Sequence, residues 1–398
     1  MSKQNSEKVI LRNGDDQYVV LGTLGQGTYG RVLYARTEHG EAVAIKVIHK
    51  FKLYRQRKGR DMLLNEQRIM RRLTECGREF LVPLLASWDD SRNVYLVMPM
   101  YYESLLDRLR RRPLDADEID LYIAELVVAL NNLHACGVMH RDIKPENIFI
   151  DPSGHLAIGD FGLSCTDGLS VDSSSKGDKS EAHKERRGPV AYKLAGTPGY
   201  FAPEVLTFAR SRGYDCNADI WSMGMVIFEM VLGRSRPLYD ALNAKDLARQ
   251  MMLGTLPWNN IIDVELRDLL SKMLRYNPKG RWTSEQLKSH PFFAGIDWAK
   301  LEERGYQPAQ LPPFPKYNSH RTSVRFSTFH LEIADSQLEP DHVFAQMLED
   351  TRNEADHKQP FVFRRRTQQA QDILHEDVDG VAPPPYPGTC GVLLLTAG

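Results

Sequence analysis

The stretch from His140 to Asn147 carries the side chains with the clearest chemical potential in this sequence. It reads His-Arg-Asp-Ile-Lys-Pro-Glu-Asn and follows an apolar segment with helical periodicity. The carboxylate of Asp142 is suited to take a proton from a hydroxyl group, and the ammonium of Lys144 is suited to neutralise a phosphate. The amide oxygen of Asn147 is a ligand for a hard metal ion such as magnesium. These are the groups that phosphoryl transfer requires.

An acidic motif and a glycine-rich loop supply further groups for the same chemistry. Asp160-Phe161-Gly162 follows a short apolar segment, and its carboxylate is a second candidate metal ligand. Gly25-Gln26-Gly27-Thr28-Tyr29-Gly30-Arg31-Val32 has glycines whose missing Cβ atoms let backbone amides approach phosphates closely. Many β proteins contain such a hairpin, and a dinucleotide-binding loop needs a helix directly after the third glycine. The residues after Gly30 are typical of a strand instead.

These motifs resemble those of the eukaryotic protein kinase family. The first matches the catalytic loop of that family, and Val43-Ala44-Ile45-Lys46 matches its third strand. Ala202-Pro203-Glu204 matches the A-P-E motif, and Arg281 falls where the family has the arginine that pairs with that glutamate. The resemblance covers residues 18–293 strongly and 294–330 weakly. It implies that the chain binds ATP with Mg²⁺ and transfers a phosphoryl group to protein substrates.

The resemblance also implies roles for single residues. Asp142 is the expected catalytic base, Lys144 the residue that stabilises charge on the γ-phosphate, and Asn147 and Asp160 the magnesium ligands. Lys46 is expected to bind the ATP phosphates and to form an ion pair with Glu66. The alternative is that Glu66 is an ordinary helix glutamate exposed to solvent. Asp219 is expected to hydrogen-bond the backbone of the catalytic loop. The residues expected to contact ATP are Leu24, Gly25, Gln26, Gly27, Thr28, Tyr29, Gly30, Val32, Ala44, Lys46, Met98, Pro99, Tyr101, Glu103 and Phe149.

Two features indicate a serine/threonine protein kinase. Lys144 follows Asp142 by two residues, as in that class, and Gly196-Thr197-Pro198-Gly199-Tyr200 resembles its P+1 loop. In that loop Thr197 is expected to hydrogen-bond both Asp142 and Lys144. Segments such as Ala195–Pro198 and residues 290–293 resemble the AGC group, which includes the cyclic-AMP-dependent kinase. Glu103 and Glu146 are candidates for favouring basic substrate residues, with ordinary surface carboxylates as the equal alternative.

The activation segment departs from the AGC pattern. Counting back from Gly196, Ala191 stands where a phosphorylated threonine is expected, so Arg141 lacks its usual phosphate partner. Either no phosphate is needed there, or a serine or acidic residue of the insert at residues 164–190 substitutes for it. A serine in that role would be phosphorylated by the chain itself or by an upstream activating kinase.

The hinge is also unusual. Met98 is the expected gatekeeper, and Pro99 replaces the usual acidic residue. Because proline has no amide hydrogen, its carbonyl can only accept from adenine, and the Tyr101 amide becomes the expected donor. The ribose partner stays open between Glu103 and Asp107.

Hydrophobic periodicity predicts the elements that must position these groups. Strands are expected at residues 18–24, 31–36, 41–49, 81–88, 93–98 and 156–158, and helices at residues 61–73, 119–136, 220–232, 244–252, 265–274 and 284–289. The prediction is an α+β, bilobal protein kinase fold: an N-lobe with an antiparallel β-sheet plus the αC helix, and a mainly helical C-lobe. The expected domains are an N-terminal extension (1–17), the kinase domain (18–293, with lobes at 18–100 and 101–293), an AGC-like tail (294–336) and a partly disordered tail (337–398).

Composition indicates which partners and which cellular location to expect for the protein. The chain has 398 residues and a formal net charge of −1, which predicts neither nucleic-acid nor membrane partners. Its 5 cysteines form no Cys-x-x-Cys pair, which favours reduced thiols and a cytoplasmic or nuclear location. In the tail, Phe326–Phe329 is either a hydrophobic motif that folds back onto the N-lobe or an ordinary amphipathic segment. Pro383-Pro384-Pro385-Tyr386 fits a ligand of WW domains, although short motifs of this kind often arise by chance. Arg364–Arg366 is a nuclear-localisation signal, a phosphate-binding patch or a solvated charge run.

Two other functions remain open. A pseudokinase would bind ATP or partners without phosphotransfer, but it usually lacks at least one of the residues matched here. A small-molecule kinase on a related fold would lack the A-P-E segment and the P+1 loop.

Overall fold

The computed structural model describes residues 9–27, 30–55, 59–166, 189–208, 212–239, 241, 243–254, 256–306, 308 and 363–364. Within them the chain forms a small lobe on an antiparallel sheet and a larger, mainly helical lobe, as predicted. Predictions for Thr28, Tyr29, most of the 164–190 insert and the tail motifs at 326–329 and 383–386 lie outside the described residues. In the described part of the chain, no helix combines the length and apolar character that a membrane span needs.

The sheet of the small lobe has the strand order β1-β2-β3-β4-β6-β5-β12, all of its described pairs being antiparallel. Its strands are β1 (Ile10–Asn13), β2 (Asp16–Gln26), β3 (Gly30–Thr37), β4 (Ala42–His49), β5 (Ala86–Asp89), β6 (Asn93–Pro99) and β12 (Phe363–Arg364). The central strand β4 is rich in β-branched residues and is buried almost throughout, as expected for a strand with neighbours on both sides. Its Lys46 lies opposite Val32 of β3 and Leu96 of β6.

Two helices follow β4, namely α1 (Lys50–Tyr54) and α2 (Gly59–Glu75). The apolar side chains of α2 recur at helical spacing and are buried against the sheet. Glu66 is buried on the same helix at 5% exposure, so its carboxylate points into the protein rather than into solvent.

The large lobe is built on helices. They are α3 (Leu105–Arg111), α4 (Ala116–Ala135), α5 (Pro203–Phe208), α6 (Asn217–Val231), α7 (Ala244–Leu253), α8 (Val264–Met273), α9 (Ser284–Leu287) and α10 (Trp298–Glu302). Helix α4 starts with a capping box between Asp115 and Glu118, and Gly137 follows its end with φ 67°. Helix α6 is buried on nearly every side, so α4 and α6 form the core that carries the catalytic loop.

Short strands between the lobes hold the catalytic segments. They are β7 (Glu103–Ser104), β8 (Val138–Met139), β9 (Ile148–Ile150), β10 (Leu156–Ile158) and β11 (Cys165–Thr166). The prediction of a strand over residues 81–88 is wrong for its first half. Phe80 has a left-handed backbone with φ 63°, and Leu81 makes only an isolated bridge to Ile158, so the regular strand β5 begins at Ala86.

Both predicted extensions contribute an edge strand. Strand β1 lies within residues 1–17 and pairs with β2 from Ile10 to Asn13. Strand β12 lies within the predicted disordered tail, yet Phe363 and Arg364 pair with Ser87 and Ala86 of β5. The tail therefore contacts the N-lobe at residues 363–364.

Candidate active site

Three charged side chains from different parts of the chain meet between the lobes. Nζ of Lys46 lies 2.6 Å from Oε1 of Glu66 and 3.1 Å from Oδ1 of Asp160. All three side chains are almost fully buried. Burial by itself would lower the pKa of Lys46, but the charges of Asp160 and Glu66 outweigh it and raise that pKa. Lys46 therefore stays positively charged, and the pair with Glu66 is formed as predicted.

The catalytic loop is closed around the Asp142 carboxylate. Nδ2 of Asn147 donates to Oδ2 of Asp142 at 3.0 Å, and Oγ1 of Thr197 donates to Oδ1 at 2.7 Å. Nζ of Lys144 lies 2.9 Å from Oδ2 of Asp142 and donates to Oγ1 of Thr197 at 2.8 Å. The hydrogen bonds predicted for Thr197 are thus present, and they fix the carboxylate in a single orientation.

A buried aspartate on α6 holds the backbone of this loop. Oδ2 of Asp219 accepts from the His140 amide at 2.8 Å, and Oδ1 accepts from the Arg141 amide at 2.9 Å. This confirms the predicted bond from Asp219 to the loop. Arg141 has a left-handed backbone with φ 70°, which costs energy for a residue with a side chain. The two bonds to Asp219 stabilise that conformation, which places Asp142 at the cleft.

The Asp160-Phe161-Gly162 segment is turned so that the carboxylate faces the cleft. Asp160 has φ 57°, and Phe161 is fully buried with its ring centroid 5.4 Å from that of His140. Nε2 of His140 also lies 2.9 Å from the carbonyl oxygen of Gly159. The ring of Phe161 and the bond to Gly159 both tie the segment to the catalytic loop.

Two oxygen atoms at the site fit the expected metal ligands. Among the described residues, Oδ1 of Asn147 and Oδ2 of Asp160 are buried and have no hydrogen-bond partner. The other amide atom of Asn147, Nδ2, is used by Asp142, which leaves the carbonyl oxygen for a cation. No cluster of three or more His, Cys, Asp or Glu side chains suited to a metal occurs in the described ranges. The two oxygens fit Mg²⁺, which commonly takes one or two protein ligands together with substrate phosphates and water.

The described part of the glycine-rich loop is a tight hairpin. Gly25 and Gln26 end β2, and the Gly27 amide donates to the carbonyl of Gly30 at 2.9 Å. A Cβ atom on Gly30 would lie 1.8 Å from the carbonyl oxygen of Val47, so only glycine fits there. The close approach of β3 to β4 brings the loop over Lys46.

Apolar side chains line the cleft where adenine is expected. Val32, Ala44 and Met100 form a small buried cluster with Leu24 packed against it. Sequence reasoning missed Met100, although it lies between the predicted hinge residues Pro99 and Tyr101. The gatekeeper Met98 is buried opposite Ala44, and Phe149 lies on β9 with its ring 5.7 Å from that of Tyr101.

The two ribose candidates are both engaged by protein groups. Glu103 pairs with Arg111, and burial raises the pKa of Glu103 even though Arg111 opposes the rise. Asp107 accepts from the hydroxyl of Ser104 at 2.7 Å. The ribose contact therefore stays a prediction.

Several contacts attach the activation segment to the large lobe. Arg281 binds Glu204 through both guanidinium nitrogens, at 2.5 and 3.0 Å, which is the pair predicted for the A-P-E motif. Ala191 forms an antiparallel bridge with Tyr214, a residue that no motif indicated. Nε of Arg141 donates to the Leu163 carbonyl at 2.5 Å. Whether a phosphate joins Arg141 depends on residues outside the described ranges.

Comparison with known proteins shows the family to which the chain belongs. The model of the protein kinase domain family matches residues 18–293. Serine/threonine-protein kinase sck2 of Schizosaccharomyces pombe is 34% identical over 336 residues, which is 82% of this chain and 48% of that protein. Human ribosomal protein S6 kinase alpha-6 is 34% identical over 307 residues, or 74% of this chain and 37% of that protein.

A third relative is covered more fully. The RAC family serine/threonine-protein kinase homolog of Dictyostelium discoideum is 31% identical over 326 residues, covering 77% of this chain and 67% of the relative. The chain spans less than half the length of the other two relatives. On the family match and these identities, the chain belongs to the protein kinase family, with relatives of the AGC type.

Proposed function

We propose that the chain is a serine/threonine protein kinase that transfers the γ-phosphate of ATP to a protein hydroxyl. The observation that carries the proposal is that Lys46, Asp142 and Asp160 meet in one cleft. Among the described residues, the two oxygens expected to bind magnesium, Oδ1 of Asn147 and Oδ2 of Asp160, have no hydrogen-bond partner there. The names of the relatives support the choice of serine and threonine. So does the hydrogen-bonded set of Asp142, Lys144 and Thr197, which is the serine/threonine form of the site.

Asp142 would accept the proton of the substrate hydroxyl. The bonds from Asn147 and Thr197 orient its carboxylate before substrate arrives, so no reorganisation is needed during the reaction. Lys144, beside Asp142, supplies positive charge where the transferred group would pass. Lys46, held by Glu66, would position the nucleotide phosphates. Mg²⁺ held by Asn147 and Asp160 would neutralise charge that develops on those phosphates.

Two buried carboxylates support a preference for basic substrates. Among the described residues, Oε2 of Glu146 and Oε1 of Glu229 are buried without a hydrogen-bond partner. The hydroxyl of Tyr200, a residue of the P+1 loop, donates to the other oxygen of Glu229 at 3.1 Å. Glu229 therefore lies beside that loop. Burial raises the pKa of Glu229 to about 9, and the charge of Glu146 adds to the rise. A guanidinium group from a peptide would supply the missing partner. Glu103, the other predicted acidic residue, is paired with Arg111 instead.

The substitution Asp142→Asn tests the proposal. Loss of the general base is expected to lower kcat by about 10²- to 10⁴-fold, measured as phosphate transfer from Mg·ATP to a basic serine peptide. Affinity for a non-hydrolysable ATP analogue is expected to stay near that of the wild type. Asp268→Asn, a change at an exposed carboxylate on α8, is the matched control and should keep full activity. A folded Asp142→Asn protein with wild-type turnover would show that Asp142 is not the base.

A further inference from the structure

Arg304 lies beyond the region that matches the kinase family and has an uncommon backbone. It follows α10 with φ 57°, and its amide donates to the Leu301 carbonyl at 2.9 Å. The next amide, of Gly305, donates to the Lys300 carbonyl at 2.8 Å. The left-handed position that ends a helix in this way usually holds glycine, because a Cβ atom is strained there. An arginine at this position indicates that its side chain has contacts that offset the strain.

Those contacts are two carboxylates and an aromatic ring. Nε of Arg304 donates to Oε2 of Glu79 at 2.8 Å, and Nη1 donates to Oδ2 of Asp151 at 2.5 Å. The guanidinium carbon lies 5.5 Å from the centroid of the Phe80 ring. Burial alone would lower the pKa of Arg304, but Asp151 and Glu79 outweigh it and raise that pKa. The planar guanidinium offers a separate N–H donor to each of the two carboxylates.

The Asp151 arm leads to the floor of the adenine cleft. Asp151 directly follows β9, which carries Phe149. The Tyr102 amide donates to the Ile150 carbonyl at 2.7 Å, so the hinge is bonded to the end of the same strand. The ring of Tyr101 packs against Phe149, with centroids 5.7 Å apart. Tyr101 is partly buried beside the ion pair: burial and the charge of Asp151 raise its pKa, and Arg304 opposes them.

The Glu79 arm leads to the metal-binding segment. The carbonyl of Phe80, the next residue, accepts from the Ile158 amide at 2.9 Å. The Val82 amide returns a bond to the Ile158 carbonyl at 2.9 Å. Ile158 ends β10, two residues before Asp160. One guanidinium thus connects the turn after α2 to the strand that floors the nucleotide cleft.

We propose that Arg304 is a positioning residue for the nucleotide, acting from outside the kinase domain through Asp151 and Glu79. By holding both carboxylates, it fixes β9 with the hinge on one side and the turn that pairs with β10 on the other. Residues 294–306 are then part of the ATP site in function, although none of them lines it. The inference rests on the proposed function, because it needs a chain that binds ATP.

The test is Arg304→Met in the full chain, which removes the charge and keeps the length of the side chain. The dissociation constant of a non-hydrolysable ATP analogue, and KM for ATP, are expected to rise on the order of tenfold. The kcat and KM for the peptide should change less than about twofold. Arg304→Lys, which can keep one carboxylate, should recover part of the affinity.

Lys288→Met is the matched control. It removes an ion pair of 3.0 Å to Glu302, which ties the same short helix to the large lobe away from the hinge. This variant should bind ATP as the wild type does. If Lys288→Met weakens ATP binding as much as Arg304→Met does, the effect comes from general destabilisation of α10 and the inference is wrong.

Asp151→Asn keeps the inference testable even where Arg304→Met folds poorly, because it removes one carboxylate partner while Arg304 stays in place. Asp151→Asn alone should weaken ATP binding several-fold. In a double-mutant cycle, the same change should weaken ATP binding little further when residue 304 is already Met. Additive effects of the two changes would overturn the inference, as would unchanged ATP affinity in Arg304→Met. A wild-type chain that does not bind ATP would overturn the proposed function as well, which distinguishes the two failures.

Discussion

The substitution Asp219→Asn tests how one buried carboxylate stabilises the fold and holds the catalytic loop in place. Asp219 accepts from the amides of His140 and Arg141, and Nε2 of His134 lies 3.0 Å from its Oδ2. Asparagine has one carbonyl oxygen and one NH₂ group. It can therefore keep only one of the two amide bonds, and its NH₂ group then faces another N–H donor.

The expected cost follows from these contacts. Hydrogen bonds to a charged acceptor contribute about 1.5–3 kcal/mol each, and a buried donor left without an acceptor costs about 1–3 kcal/mol. Because Asp219 is only 1% exposed, solvent does not reduce these values. We expect a loss of about 3 kcal/mol in the free energy of unfolding. Arg141 would also lose support for its left-handed backbone, and displacement of Asp142 is expected to lower kcat by about 10- to 100-fold.

The stability difference should depend on pH. Burial alone would raise the pKa of Asp219, but its bonds to His134 and the loop amides outweigh burial and lower that pKa. A carboxyl group with a lowered pKa in the folded state stabilises the fold above its unfolded value of about 3.9. That stabilisation is lost as the pH falls through the folded pKa. The gap between Asp219→Asn and the wild type should therefore be largest near neutral pH and shrink in acid.

The assay is urea unfolding at several pH values together with kcat for a basic peptide. Asp215→Asn is the matched control, because Oδ1 of Asp215 accepts from the Asn217 amide in a local turn that asparagine forms equally well. The control should stay within about 0.5 kcal/mol of the wild type. An Asp219→Asn protein with wild-type stability and turnover would refute the role assigned to this carboxylate.

Two further predictions concern the activation segment and the substrate. Arg281→Lys should destabilise the protein by about 3 kcal/mol in thermal or urea unfolding, because lysine cannot form both bonds to the buried Glu204 carboxylate; a change within error would contradict this. For the substrate, the raised pKa of Glu229, about 9, means that a basic peptide must displace a proton at neutral pH. KM for an arginine-containing peptide should therefore fall several-fold between pH 6.5 and 8.5, relative to the same peptide with alanine. A ratio independent of pH would rule out Glu229 as the binding group.

Local motifs allowed most of the catalytic geometry to be predicted. Asp142, Asn147 and Asp160 lie in short segments whose spacing fixes their relation once the strands between them pair. Glu66 was predicted to pair with Lys46, and it is buried beside Lys46. These predictions succeeded because local periodicity and local motifs specify them.

Features that depend on distant partners were not predictable in the same way. The two-residue strands β7 and β11 exist only through pairing with β9 and β8. Residues 81–85 are apolar enough for a strand, but the left-handed Phe80 turns the chain away before β5. Arg304 has no motif, and its partners lie more than 150 residues earlier in the chain. The pairing of Glu103 with Arg111 likewise required the positions of β7 and α3.

The pairing of β12 with β5 has a consequence for the behaviour of the chain in solution. Without β12, one long side of β5 would present unpaired N–H and C=O groups, a template on which strands of other molecules can assemble. The two described residues of β12 cover part of this edge by pairing with Ser87 and Ala86. Covering these positions removes part of a surface on which another strand could assemble.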